Sequence, residues 1–245
     1  MRKVTGVGGL ICLSLMLAGC PRAVSPPSPT PTQPSSPPTQ VPAPTPSPEA
    51  PDTRGATVYE VSSQSSQLAI YVYRGGKFSR LGHNHVMTSQ QLAGRVWVHP
   101  EFARSGFELS FPVAQLVVDD AAARRAAGSD FPPDIPQSDK DGTRKNMLKP
   151  EVLDSEHYPG IKLRSAKVGG TLEAPQLTAK ITIKDASRDV EVPAQIAIEG
   201  AQLTASGEFD ILQTQFGMKP FSVALGALEV QDRLHIKFKI VAEKR

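Results

Sequence analysis

The 245-residue chain is short of the residues that would narrow its chemistry at once. It has two cysteines, one tryptophan, 6% aromatic residues and a formal net charge of only +3. Both cysteines, Cys12 and Cys20, fall within the first twenty positions, so the remainder can form no disulfide, thiolate metal site or cysteine nucleophile. There is no GxSxG elbow, no HExxH pair and no local grouping of serine, histidine and carboxylate, so an enzyme is not expected. Charged residues make up 21% of the chain with the two signs nearly balanced. The dense basic stripe that grips a phosphate backbone is missing, which argues against nucleic acid as a partner. No apolar run reaches the roughly 20 residues a spanning helix needs.

What is present is strongly zoned. Arg2 and Lys3 precede an apolar run through Leu10, Ile11, Leu13, Leu15, Met16 and Leu17, which ends in Leu17-Ala18-Gly19-Cys20. This is the layout of an export signal, and its last four residues resemble a bacterial lipobox. Residues 1–19 are therefore expected to be a lipoprotein signal peptide, with Cys20 acylated to a membrane on the periplasmic side. Pro21, rather than aspartate, follows the cysteine, which favours the outer membrane. Thirteen of the 23 prolines lie in residues 21–52, a stretch with almost no large apolar side chain. It cannot build a core, and with Cys20 it reads as a disordered tether, residues 20–52, whose extended reach is on the order of 100 Å.

After Thr53 the pattern becomes strict alternation, the signature of half-buried strands. In 177–184 the apolar set is Leu177, Ala179, Ile181 and Ile183; in 190–198 it is Val190, Val192, Ala194, Ile196 and Ile198. Leu203, Ala205, Gly207, Phe209 and Ile211 follow the same rule, as do Leu234, Ile236, Phe238 and Ile240. Earlier strands are predicted at 57–61, 67–73, 92–99, 107–118 and 160–167, giving about eight or nine. Only 119–160 has helical character, enough for one or two short helices with a break at Phe131-Pro132-Pro133. So many one-sided strands favour closure, because open edges and a bare apolar face are both costly.

Four segments taken together, 152–165, 181–194, 205–218 and 228–243, resemble the YceI-like family of bacterial polyisoprenoid-binding, lipocalin-like domains. The resemblance spans about 58–243. It implies an all-β domain, residues 53–245, built as an extended antiparallel eight-stranded lipocalin-like barrel with one or two short helices between strands. It also implies an apolar bore holding a polyisoprenoid or other long-chain lipid, in an exported protein. Where the family carries an acidic and basic pair before its Tyr-Pro element, this chain has Gly142-Thr143-Arg144-Lys145-Asn146-Met147.

The candidate lining of that bore is Phe107, Leu109, Phe111, Ile181, Ile183, Ile196, Ile198, Phe209, Ile211, Ile236 and Phe238. Such residues suit a chain of CH2 and isoprene units, which binds by burial at about 25 cal/mol per Å2 with little directional bonding. Alternation alone leaves open a barrel filled by its own side chains. In Gly82-His83-Asn84-His85, the two histidines would stand about 6.6 Å apart along an extended chain. They are candidate rim or headgroup residues. With His99 or His157 as a third ligand they could hold a metal, but no cysteine pair or carboxylate cluster accompanies them and no metal is expected. His235 alternates outward with Lys237 and Lys239. The expected function is a lipid carrier tethered to the membrane through the acyl anchor at Cys20, with no cofactor beyond the bound lipid and no identified protein partner. A metal- or redox-related accessory protein using His83 and His85, and a structural envelope module without ligand, are the alternatives.

Overall fold

The computed structural model describes residues 51–245. The signal segment 1–19, Cys20 and nearly all of the tether 20–52 lie outside the described residues. Thirteen strands follow in chain order: β1 (Thr57–Val61), β2 (Gln67–Gly75), β3 (His85–Ser89), β4 (Ala93–Val98), β5 (Gly106–Pro112), β6 (Val117–Val118), β7 (Gly160–Gly170), β8 (Pro175–Ile183), β9 (Ala186–Glu191), β10 (Gln195–Glu199), β11 (Gln202–Leu212), β12 (Ser222–Val223) and β13 (Leu228–Lys244). Two helices, α1 (Ala121–Ala127) and α2 (Gln137–Met147), stand between β6 and β7. Among the described residues no helix is long and apolar enough to cross a membrane.

All strands pair antiparallel in one sheet, in the order β6-β3-β2-β13-β1-β4-β5-β7-β8-β9, with β11 on the other edge of β13 and β10 beyond it. The 17-residue β13 organises this arrangement. One edge pairs with β11 from Arg233 to Glu243, while the other serves β2 first and then β1. Alternation accounts for the two faces. On β8, Ala179, Ile181 and Ile183 are buried, whereas Lys180 on the outer face reaches Asp189 of β9 at 2.6 Å and Thr182 meets Ser187 at 2.8 Å. Such cross-strand pairs fix register, because a one-residue slip would put the lysine inside.

The all-β, antiparallel reading holds, but the strand number is thirteen rather than eight or nine, and the hydrogen-bond ladder does not close. The strand expected over 107–118 is split, because Pro112 ends β5 and the chain turns through 113–115 before β6; proline supplies no ladder donor. Pro193 does the same between β9 and β10. The Val192 amide still donates to Leu177 on the β8 side, at 2.9 Å, and after Ala194 the chain pairs with β11 instead. Gly207 of β11 makes this crossing possible: a Cβ there would come 2.1 Å from the Pro193 carbonyl oxygen.

Strand β3 escaped the alternation test for a different reason. Val86 and Met87 are adjacent and both buried, one packed toward each side of the sheet, so the segment has no wet face to mark it. The helices fall where expected. Asp120 caps α1 by accepting the Ala122 and Ala123 amides at 2.9 Å, and Gly128 ends it at φ 93. Near the end of α2, Arg144 donates to the Leu116 carbonyl at 2.7 Å and to that of Ala114, which holds the helix against the sheet.

Candidate functional site

The sheet wraps a cavity of about 320 Å3, within the range of small-molecule sites. Forty-three residues line it, and among them only His85, Ser105, Thr143, Asn146 and Gln213 have polar side chains, Trp97 aside. No aspartate, glutamate, lysine or arginine is in the lining. Ten of the eleven expected residues are there: Phe107, Leu109 and Phe111 from β5, Ile181 and Ile183 from β8, Ile196 from β10, Phe209 and Ile211 from β11, and Ile236 and Phe238 from β13. Phe209 and Phe238 meet edge to face with ring centres 6.2 Å apart. Ile198 is the correction. It is absent from the lining and packs on a second, smaller core of Tyr59, Leu203 and Ala242, while its cross-strand partner Leu203 borders the cavity. Val152, Leu153, Met147 and Thr143, from α2 and the turn that follows it, also line the cavity.

The two histidines divide. His83 precedes β3 and is two-fifths exposed, with its Nε2 3.4 Å from Asp139 of α2. His85 begins β3 and is part of the cavity wall. Its Nδ1 is 2.6 Å from the Asp119 carboxylate, which is fully buried. Asp119 sits at φ 54 between β6 and α1, so the turn aims its carboxylate back under the sheet. That carboxylate also accepts the Val86 amide at 3.0 Å and is paired with the Arg124 guanidinium. Burial pushes the Asp119 carboxyl up, but hydrogen bonds from His85 and the Val86 amide, the charge of His85 and the Arg124 contact outweigh it and hold the group below its ordinary value.

Arg124 is itself 0% exposed. It donates to the carbonyls of Pro132 at 2.6 Å and Asn84 at 2.7 Å and lies 5.8 Å from the Phe131 ring centre. Asn84 accepts the Arg74 amide at 3.0 Å and donates to the Asp130 carbonyl at 3.1 Å. The motif therefore ties β2, β3, α1 and the loop after it together, and leaves one imidazole edge for the cavity. On α2, Thr143 and Asn146 follow Asp139 by four and seven residues, the spacing of one helix face. Asp139 touches His83, and both Thr143 and Asn146 line the cavity, so this polar face comes to the same end of the bore as His85.

Asp119 and Arg124 were not picked out from the sequence. Both stand in the 119–160 segment, which shows only helical character, each beside a second residue of the same kind, Asp120 and Arg125. The fold buries the first of each pair and leaves its neighbour outside. His99 accepts the Glu101 amide at 2.9 Å and His157 pairs with Asp154 at 2.8 Å, so the structure engages both elsewhere. His235 faces outward as expected and bonds Asp210 at 2.9 Å. Among the described residues no three histidine, cysteine or carboxylate side chains are grouped as metal ligands.

Comparison with known proteins places this geometry. The model of the YceI-like domain matches residues 59–242. Among solved structures, BcnA from Burkholderia cenocepacia aligns with a TM-score of 0.55 and 19% identity, over 74% of this chain and 99% of that one, a likeness of fold. A polyisoprenoid binding domain from Saccharophagus degradans, implicated in plant cell wall breakdown, aligns at 0.49 and 9%, over 77% and 99%. The Campylobacter jejuni YCEI protein aligns at 0.46 and 13%, over 63% and 82%. No curated protein matches the chain.

Proposed function

The chain belongs to the YceI-like domain family, and on that premise we propose that it binds one long apolar chain, a polyisoprenoid or comparable long-chain lipid, in the cavity of its sheet. The observation that carries this is the lining: a ligand-sized space bounded by aliphatic and aromatic side chains without one Asp, Glu, Lys or Arg. Affinity there comes from buried area, at about 25 cal/mol per Å2. The polar edge of His85, with Thr143 and Asn146, is where the ligand's head would be held. Asp119 fixes the imidazole by accepting a hydrogen bond from its Nδ1–H and leaves Nε2 to meet the head.

A bare diphosphate is a poor fit to this corner. The buried guanidinium of Arg124 is not in the lining, its Nε and Nη1 are committed to Asp119 and two carbonyls, and an unpaired buried anion is costly. The head is therefore uncharged, a hydroxyl or carbonyl group. Titrating the delipidated protein with a long isoprenoid alcohol and with its diphosphate tests this. The alcohol binds more tightly, and His85→Ala weakens the alcohol several-fold; tighter binding of the diphosphate would refute the assignment.

The proposed setting is the cell envelope, with the domain on the periplasmic side and held, on the outer membrane for preference, by acyl chains at Cys20. The support is the signal and lipobox pattern together with the proline-rich tether. Cys20→Ser is expected to release the protein to the soluble periplasmic fraction or leave an unprocessed precursor. Recovery of the variant on membranes at mature size would contradict the anchor.

A further inference from the structure

Six large hydrophobic side chains are exposed among the described residues, and five of them, Phe78, Leu81, Phe221, Val223 and Leu225, belong to two connections, the second of which includes the two-residue β12. One loop joins β2 to β3, the other precedes β13, and the Phe78 amide binds them by donating to the Ala227 carbonyl at 2.6 Å. Leu225 is completely exposed. It is also held there at a conformational cost: Ala224 and Leu225 stand consecutively at φ 50 and 56, a region unfavourable to any residue with a Cβ. The basic residues Lys77, Arg80 and Lys219 are interleaved with these side chains, and between Gly76 and Gly82 and between Gly217 and Ala227 there is no acidic residue.

The second loop also reaches the cavity. Phe221 is the single exposed residue in its lining among the described residues, which places the opening of the bore beside this tip.

We propose that this tip is a docking surface for an anionic lipid bilayer, seating the mouth of the cavity on the membrane. Exposed apolar patches of this kind mark interaction sites. A patch that mixes aliphatic and aromatic tips with three cations against one bordering carboxylate, Glu229 beside Gly226, is matched to the acyl boundary and negative headgroups of a membrane. The surface itself stands on the loops alone; its use for loading or unloading a lipid rests on the function proposed above. It is distinct from the anchor at Cys20, which would tether the chain without orienting the domain.

The test is orientation. In the full chain carrying Cys12→Ser and Cys20→Ser, Leu225→Cys is labelled with an environment-sensitive nitrobenzoxadiazole, and Ala201→Cys is labelled as the control. Ala201 precedes Gln202, which pairs with Glu243 at the far end of β13, about 50 Å from the tip at 3.3 Å per residue. On vesicles of phosphatidylethanolamine and phosphatidylglycerol (3:1), the probe at 225 is expected to shift to the blue and to resist aqueous dithionite about tenfold more than the probe at 201. Lys77→Ala, Arg80→Ala and Lys219→Ala together, or 0.5 M salt, should remove most of the shielding, and phosphatidylcholine vesicles should give little.

Equal accessibility of the two probes would overturn the proposal. So would shielding at 225 that ignores both lipid charge and the three lysine and arginine substitutions, or shielding that appears without vesicles, as contact with a second protein would produce. Lipid content measured on the same samples keeps the two readings apart: Phe78→Ser with Leu81→Ser, in the chain labelled at 225, should lose docking while retaining bound lipid, whereas loss of lipid with docking intact would count against the cavity reading alone.

Discussion

Ile181 and Asp119 are buried almost equally, 3% and 0% exposed, and are held in opposite ways. Around Ile181 the bore is bounded by side chains that touch without direction, so neighbours can shift by small amounts and a flexible chain can lie among them in more than one pose. Around Asp119 every polar contact has one geometry: His85, the Val86 amide and Arg124 all converge on two oxygens. A wall that must accept a ligand can be adaptable, while a group that must present one ring edge cannot. The pair of regions teaches that shape selection and head recognition are separable in this fold.

Breaking the polar region should cost most. Arg124→Ala strips the guanidinium from a buried carboxylate and is expected to lower stability by about 3–5 kcal/mol, read from urea unfolding. In the bore, Ile181→Ala is expected to cost about 2 kcal/mol, the low end for such truncations because the side chain already borders open space. It should change the preferred length of bound lipid more than the head preference. If the two substitutions cost the same and alter lipid selection alike, the regions are not separable.

Acid sharpens the contrast. The Asp119 carboxyl is lowered in the folded state, so its contribution is fully present above the unfolded carboxylate range, near about 3.9, and is lost as pH falls through the folded value. The stability gap between the wild type and Asp119→Asn should therefore be constant near neutrality and narrow below about pH 4, while the gap between the wild type and Ile181→Ala stays flat with pH. Smallest of all is the outer face. Lys239→Ala is expected to change stability by less than about 0.5 kcal/mol, and a larger loss would mean that the parity of β13 is misassigned.

The sequence made one of these regions legible and hid the other. Strands β8, β11 and β13 show their inner face because each has a wet one, so Ile181, Phe209 and Phe238 could be placed by counting in twos. Ile198 shows where counting fails: parity tells which face a residue takes, not whether it borders the cavity. His83 and His85 were visible as an unusual pair, yet their unequal fates depend on Asp119 and Arg124, which are 34 and 39 positions beyond His85 and are brought under it only by the pairing of β3 with β6 and the turn into α1. Strand β3 itself was unreadable, since burial on both faces erases alternation. The irregular joints at Pro112 and Pro193 are written in the sequence as prolines, but which strand each half would then pair with is decided by the whole sheet.

The central claim is that the bore is occupied by a long apolar chain, and the direct measurement is mass spectrometry of organic extracts from the full chain purified from bacterial membranes without detergent. One lipid class with a long hydrocarbon or isoprenoid chain and an uncharged head, near one per protein, is the expected result, with Ile183→Lys reducing it to background and Lys239→Ala leaving it intact. A wild-type protein that carries no lipid, and takes none up when offered an isoprenoid alcohol, would contradict the account.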